Sequence, residues 1–356
     1  MKILFIATTI IIIIVAGYFL FRPESSKPDA LSFEQGQAEQ ASNGNIEDKV
    51  INSGCVSNPD PVFTSAFMEN DKINEIGPIG AIDGGSHGRS YIGVAEGSQT
   101  EVYAPTDATL EAIVYAKRGP DVDYGEYGLW FRASCEVTFL LDHLDRVSDD
   151  IFQYAPTEPS ESSAVAEYVS ISVKAGELIG YTDGTELART YDFLLLNTAK
   201  LASYINPARW NWDQNTVADC PYDYYTDELK SFYYSKLRQP NADDGNCGNP
   251  SYDVAGTAAG GWFQDNDTDT NGRWLTFGTY TSFVGLAIRQ DGARDFSVRD
   301  YDNILKPEDM KTGDEQCIAY NDNWAYAKLV NENQLDVATG AGACPSVYPN
   351  IESWTR

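Results

Sequence analysis

Six cysteines constrain this chain more than any other feature. They stand at positions 55, 135, 220, 247, 317 and 344 of 356 residues, an even set in which no pair has the C-x-x-C spacing of a zinc ribbon or a redox motif. That pattern favours disulfides. The intervals 220–247 and 317–344 are both 27 residues, and closing either removes roughly 3.5 kcal/mol of loop entropy from the unfolded chain. Pairing Cys220 with Cys247 and Cys317 with Cys344 leaves Cys55 for Cys135 by elimination, with other connectivities open. Such bridges persist in an oxidising compartment, so the folded part is expected outside the cytoplasm.

The amino terminus points the same way. Ile3 to Phe21 is 19 residues without a charge, long enough at about 1.5 Å per residue to cross a hydrocarbon core of ~30 Å. Residues 1–23 therefore read as a membrane anchor of the signal-anchor type. Val15-Ala16-Gly17 offers small residues for cleavage, which would make the protein secreted, but Tyr18 to Phe21 carry the apolar run past that point. Lys2 on one side faces Arg22 and Lys27 on the other, so orientation rests on the cysteines rather than on charge. Residues 24–54 are rich in Ser, Gln, Glu, Asn and Gly and read as a flexible tether, because they bury too little to offset the entropy of ordering.

Beyond the tether the chain is long enough for two units of ~150 residues, and 42 % hydrophobic residues suffice for sizeable cores. The 53 acidic against 25 basic residues give 25 − 53 = −28, a surface that repels phosphate backbones, so nucleic acid is not expected as a partner. Runs such as Glu136–Leu141 and Tyr168–Val173, punctuated by Gly, Asn and Asp, are strand-like. One segment reads as a helix, Glu228 to Leu237, with Asp227 as its cap and Pro240 beyond its end. The expected class is mainly β: one β-rich domain over 55–213, then a disulfide-stapled β-rich domain with one short helix over 214–356. The Trp- and Asn-rich stretch Pro207–Val217 marks the boundary.

Residues 77–206 carry an ordered set of landmarks: Gly77-Pro78-Ile79-Gly80, Ser86-His87-Gly88, Val102-Tyr103-Ala104-Pro105, Asp142-His143-Leu144, Val173 to Gly180, and Tyr191-Asp192-Phe193. This order resembles the lysostaphin-like zinc endopeptidases that cut peptidoglycan cross-links. The resemblance implies that the domain over 55–213 is a small two-sheet β domain, a barrel-sandwich of the duplicated hybrid motif type. It also implies zinc held by a His and an Asp of the first motif and by the second His of a closing H-x-H. By it, His87 stands at the first ligand, His143 at a catalytic position and Asp192 at the last ligand, while Thr190 replaces the other catalytic His. The metal Asp has no counterpart, since Gly93 or, without a gap, Tyr91 falls there. Two ligands, His87 and Asp192, are fewer than the three that a catalytic zinc site needs beside its open position. An active hydrolase would have to recruit Asp83, Asp142 or Tyr191. A further similarity, to a group of membrane-anchored extracellular proteins of unassigned activity, extends through Cys220-Pro-Tyr-Asp-Tyr-Tyr225, Asp253 to Phe263 and Leu335-Asp-Val337.

His87 and His143 are the only histidines. His87 lies in the glycine-rich run Gly84–Gly88, which suits an exposed turn as well as a ligand. In a regular strand, His143 shares its face with Val137, Phe139 and Leu141, and its neighbour Asp142 points the other way. Asp267, Asp269 and Asn271-Gly272 match the start of a calcium loop, but the twelfth position, Gly278, is not the closing Glu, and a turn-rich hairpin loop accounts for the same residues. Zinc and calcium are thus the two cations left open. Asn266-Asp267-Thr268 is a glycosylation sequon. Tyr222, Tyr224, Tyr225, Tyr233 and Tyr234 would suit either a sugar-stacking platform or aromatic packing within the β protein. Three functions follow: a non-catalytic envelope module binding glycan or peptide, a zinc hydrolase with substituted ligands, and a structural surface spacer.

Overall fold

The computed structural model of the protein describes residues 54–81, 88–95, 99–117, 124–184, 190–238, 247–291, 293–301 and 305–356. The expected anchor, nearly all of the tether, Asp83, His87 and Pro240 lie outside the described residues. The class is mainly β, as the strand-like text implied. The first ten strands are β1 (Ile73–Gly77), β2 (Arg89–Val94), β3 (Thr100–Tyr103), β4 (Ala108–Lys117), β5 (Gly125–Arg132), β6 (Val137–Leu144), β7 (Arg146–Val147), β8 (Ala166–Val173), β9 (Leu178–Thr182) and β10 (Thr190–Asn197). Seven of them form an antiparallel sheet in the order β1-β2-β10-β6-β5-β4-β8, and β3-β9-β7 form a smaller one.

Both faces of the larger sheet are covered, so its central strands are near-continuous apolar runs rather than alternating ones. Phe139, Leu141, Phe193 and Leu195 face a core that includes Phe63, Phe67 and Val102. Leu140, Leu194 and Leu196, one residue out of step, face a second cluster with Trp130, Val217 and Ala218. Val217 and Ala218 follow the short helix α2 (Asp213–Thr216); α1 is the turn Asp149–Phe152 and α3 spans Asp227–Lys236. The N-cap of α3 is Thr226, one residue before the expected Asp227, which instead opens the first turn where its negative charge meets the helix N-terminus.

Four of the five tyrosines around α3 are core residues rather than a stacking platform, and the fifth, Tyr234, is half-buried with its hydroxyl donating to Asp223 Oδ1 at 2.8 Å. Tyr222, Tyr224, Tyr225 and Tyr233 are at most 5 % exposed and join the first core. Tyr233 lies 5.1 Å from Phe67 and 4.7 Å from Tyr225, ring centre to ring centre. Aromatic pairs at this separation gain more from each other than from water.

The last eight strands are β11 (Gly260–Phe263), β12 (Arg273–Tyr280), β13 (Phe283–Gln290), β14 (Ala293–Asp300), β15 (Glu315–Tyr320), β16 (Asn323–Asn331), β17 (Gln334–Ala341) and β18 (Glu352–Thr355). They run as two antiparallel meanders whose outer strands meet. β11 pairs with β18, and β14 lies against β15, so the sheet nearly closes into an eight-stranded barrel. A barrel of this size is just wide enough for side chains to fill. Trp262, Phe277, Leu286, Leu329, Leu335 and Trp354 do so, and the Arg356 guanidinium covers the Trp262 ring at 4.1 Å.

The disulfides are Cys55–Cys135, Cys220–Cys247 and Cys317–Cys344, the pairing drawn from the spacing. The second is buried in the core of the seven-stranded sheet and the third closes across the end of the barrel sequence. Three such bridges point to an extracellular or otherwise oxidising environment. Among the described residues, no helix is long and apolar enough to cross a membrane.

Candidate functional site

The landmark residues His143 and Asp192 come together on the Leu140/Leu194 face of the seven-stranded sheet, where they are part of a buried cluster of charges. Register shows how. Asp192 on β10 pairs with Asp142 on β6 and with Tyr91 on β2, and Arg89 is two residues from Tyr91 toward the start of β2. Directly opposed residues of antiparallel strands share a face, so all four project to one side. Glu126 on β5 pairs with Ala116, which belongs to the same cluster of apolar side chains. None of Arg89, Glu126, Asp142, His143 and Asp192 is more than 6 % exposed.

His143 breaks the alternation expected of it. Between Leu129↔Leu141 and Tyr127↔Leu144, Asp142 and His143 oppose Gly128 alone, and His143 has φ 68°. This is a β-bulge with a left-handed residue, costly for a side chain other than glycine. Asp142 and His143 therefore reach the same cluster instead of opposite faces, and His143 leaves the Phe139–Leu141 row. The turn is pinned on both sides. The His143 N–H donates to Asp142 Oδ1 at 2.9 Å, and the Thr182 hydroxyl donates to the His143 carbonyl at 2.6 Å. Gly128 leaves the space: a Cβ there would stand 2.8 Å from Asp142 Oδ1.

Within the cluster every charge has an opposite partner. Arg89 Nη1 donates to Asp142 Oδ2 at 2.6 Å and to Asp192 Oδ2 at 3.3 Å. His143 Nδ1 is 2.5 Å from Glu126 Oε2, and Nε2 is 3.2 Å from Asp192 Oδ2. Carboxylates accept and do not donate, so an imidazolium satisfies both contacts at once. Three carboxylates and two cations then sum to −1. Asp192 Oδ1 is buried without a hydrogen-bond partner among the described residues.

A second pair of carboxyls adjoins the cluster. Asp145 Oδ2 accepts the Asp183 N–H at 2.7 Å. Burial first, then the negative charges of Asp183 and Glu126, push the Asp145 carboxyl up to about 7 against the pull of that hydrogen bond.

Among the described residues the geometry does not fit a zinc centre. His87 lies outside the described residues. Asp192 Oδ2 is engaged by Arg89 and His143, both His143 nitrogens face carboxylates, and a fixed guanidinium stands between Asp142 and Asp192 where a metal would need those oxygens. Tyr91 and Gly93 lie on β2 beside Asp192 and Thr190, so neither adds a carboxylate. Tyr191 projects to the opposite side, into the first core at 6.0 Å from Phe67, and so cannot serve as a substitute ligand.

The calcium-type residues are not brought together around a common centre. Asp269 is 1 % exposed, and its carboxylate accepts the Asn211 N–H at 2.7 Å, the Trp212 N–H at 3.2 Å and Asn215 Nδ2 at 3.0 Å. Asp267 Oδ2 accepts the Arg273 N–H at 2.7 Å, and Asn271 bridges Thr268 through the backbone. The segment is a hairpin loop whose Asp269 ties it to the start of α2.

Arg89 and Glu126 escaped sequence reasoning, which looked for ligands and bases. A signal was present. Asp142 and Asp192 sit inside the apolar runs VTFLLDHL and TYDFLLLN, and buried carboxylates require cations. Arg89 is the basic residue that directly follows the landmark Ser86-His87-Gly88.

An open depression of about 500 Å³, lined by Ser65, Met68, Glu69, Asn70, Asp71 and Tyr103 among others, shares no residue with the cluster. No family model and no curated protein matches the chain. Among solved structures, the NMR solution structure of lysostaphin aligns over 78 % of this chain and 93 % of that one, at 14 % identity and a TM-score of 0.24. At that score the likeness establishes neither fold nor activity.

Proposed function

We propose that the chain is a non-catalytic, membrane-anchored protein of the extracytoplasmic envelope that binds envelope glycan or peptide. The observation that carries the non-catalytic part is the Arg89 guanidinium, which holds Asp142 and Asp192 together with the donor atoms a hydrolytic metal would need. Without a metal nothing there brings the pKa of an attacking water toward neutrality. The disulfides support the compartment and the apolar run Ile3–Phe21 supports the anchor. The net charge of −28 favours neutral or cationic ligands over anionic polymers.

One observation favours a second reading, a zinc hydrolase with substituted ligands: Asp192 Oδ1 is buried and has no hydrogen-bond partner among the described residues. The deciding experiment is elemental analysis of the full-length chain purified in the presence of zinc, with release of peptide or sugar from envelope polymer followed in parallel. Zinc-free, inactive protein that retains binding to the polymer is the expected result. Stoichiometric zinc together with hydrolysis abolished by His143→Ala would replace the adaptor with the enzyme.

A further inference from the structure

The charge balance of the cluster carries an inference about what Arg89 does, and it rests on the non-catalytic reading above. Glu126, Asp142 and Asp192 bring three negative charges into a region where no residue of the group is more than 6 % exposed. Buried carboxylates need compensation from cations or protons. His143 compensates from one side, between Glu126 and Asp192. On the other side the compensating group is Arg89, whose Nη1 reaches Asp142 Oδ2 and Asp192 Oδ2 at 2.6 and 3.3 Å. A single nitrogen thus sits between two carboxylate oxygens of neighbouring strands, the position a bridging metal ion would take. Among the described residues Asp192 Oδ1 beside them is buried without a hydrogen-bond partner.

We propose that Arg89 is a built-in cation that stands in for a divalent metal, and that its guanidinium is what closes this cluster to one. With Arg89 in place the cluster sums to −1 when His143 is an imidazolium. Remove the guanidinium and the His143 proton and the sum is −3, which a divalent ion returns to the −1 that the cluster carries with Arg89 in place. Asp142 Oδ2, both oxygens of Asp192 and, after loss of its proton, His143 Nε2 then supply the oxygen and imidazole donors that suit zinc or cobalt. Among the described residues no three metal-binding side chains stand as a group that could hold an ion, so Asp142, Asp192 and His143 have to turn into the space that the guanidinium vacates. The ladder pairing Asp142↔Asp192 belongs to the sheet backbone and does not depend on Arg89, so the carboxylates stay near each other after the substitution.

The test compares the full-length wild-type chain with Arg89→Ala, Arg89→Met and Arg89→Lys, using Zn²⁺ alone in calorimetric titration and Co²⁺ alone in visible absorption. Arg89→Ala is expected to take up one zinc ion at least about 100-fold more tightly than wild type, with an upward shift in melting temperature by mass action. Its cobalt form should show the absorption of nitrogen and oxygen ligation, and adding Asp192→Ala should abolish both signals. Arg89→Lys, which keeps the charge, should gain nothing. A folded Arg89→Ala that binds zinc no better than wild type, or whose zinc survives Asp192→Ala, overturns the proposal. If Arg89→Ala does not fold alone, refolding rescued by zinc supports it. Failure of both Arg89→Ala and Arg89→Met to fold with or without zinc overturns it, because the guanidinium would then not be exchangeable for a metal. Stoichiometric zinc in the wild-type protein would instead sink the non-catalytic reading, so the two failures are distinguishable.

Discussion

Replacing Asp269 by Ala separates a calcium ligand from a structural staple. The carboxylate accepts three N–H groups, from Asn211, Trp212 and the Asn215 side chain. A hydrogen bond contributes about 1 kcal/mol net, and a buried donor left unpaired costs about 1–3 kcal/mol. Against this, burial pushes the Asp269 carboxyl above the usual range despite those three donors, so deleting the charge also relieves a desolvation cost. Two backbone donors left unpaired, a side-chain amide free to rotate and that relief combine to a loss of roughly 3 kcal/mol for Asp269→Ala. Asp269→Asn, which keeps one acceptor and drops the charge, should lose roughly half as much. The assay is equilibrium urea unfolding of the full-length chain, run with about 1 mM Ca²⁺ and with chelator, a range in which extracellular calcium modules bind. Superimposable wild-type curves are expected, because both Asp269 oxygens are already occupied. A calcium-dependent rise in the wild-type midpoint that Asp269→Ala removes would refute the staple, as would a loss below ~0.5 kcal/mol.

Three further variants probe the surroundings of the cluster and the barrel. Asp145 holds its proton up to about 7 when folded but releases it near 3.9 when unfolded, so the unfolded state binds fewer protons between those values and stability falls as pH rises from about 4 to about 7. Asp145→Asn should therefore equal wild type near pH 4 and exceed it at pH 8, by on the order of 1–2 kcal/mol once water around this half-buried group is allowed for, measured by denaturation at both pH values. Gly128→Ala puts a Cβ 2.8 Å from Asp142 Oδ1 and should cost about 1–3 kcal/mol, with larger amide chemical-shift changes at Arg89 and His143 than at residues of the barrel; unchanged spectra there would argue against the bulge. Cys317→Ser with Cys344→Ser opens a loop of 27 residues and should cost roughly 3 kcal/mol, and a melting temperature equal to wild type would show that β15 and β17 hold without the bridge.

Much of the fold was legible because its signals are local or arithmetic. Equal cysteine intervals, apolar runs such as Tyr191–Leu196 and the polar loop between β11 and β12 depend little on tertiary context. The site was legible only in part. Strand periodicity presumes a regular pleat, and it set His143 beside Leu141 and opposite Asp142. The bulge opposite Gly128 reverses that, and nothing in the composition of VTFLLDHL marks the residue at φ 68°. Arg89 and Glu126 were hidden for a different reason: single charges near strand ends are common and become informative only when the register places them against Asp142, His143 and Asp192. The tyrosine cluster was ambiguous for a third reason, since an amphipathic ring suits a sugar face and a core equally until the packing around Phe67 is known.

The same register explains why the charge cluster and the barrel are not independent. Residues 214–218 pack over the cluster-bearing face so closely that a Cβ at Gly88, beside Arg89, would collide with the Gln214 carbonyl and with Ala218. Val217 and Ala218 complete the apolar side of that face with Leu194 and Leu196. The start of α2, immediately before them, is held by Asp269 from the barrel's hairpin loop. A carboxylate in the second half of the chain therefore fixes part of the cover over charges in the first half. Cover matters to the cluster because the attraction between Arg89 and its carboxylates weakens steeply when water enters, while the like charges of Asp142 and Asp192 remain side by side in the ladder. Exposure would relieve those carboxylates by hydration and leave Arg89 with less reason to stay between them. The guanidinium's grip on this face is in that sense a property of the whole assembly of sheet, α2 and barrel loop rather than of two ion pairs alone.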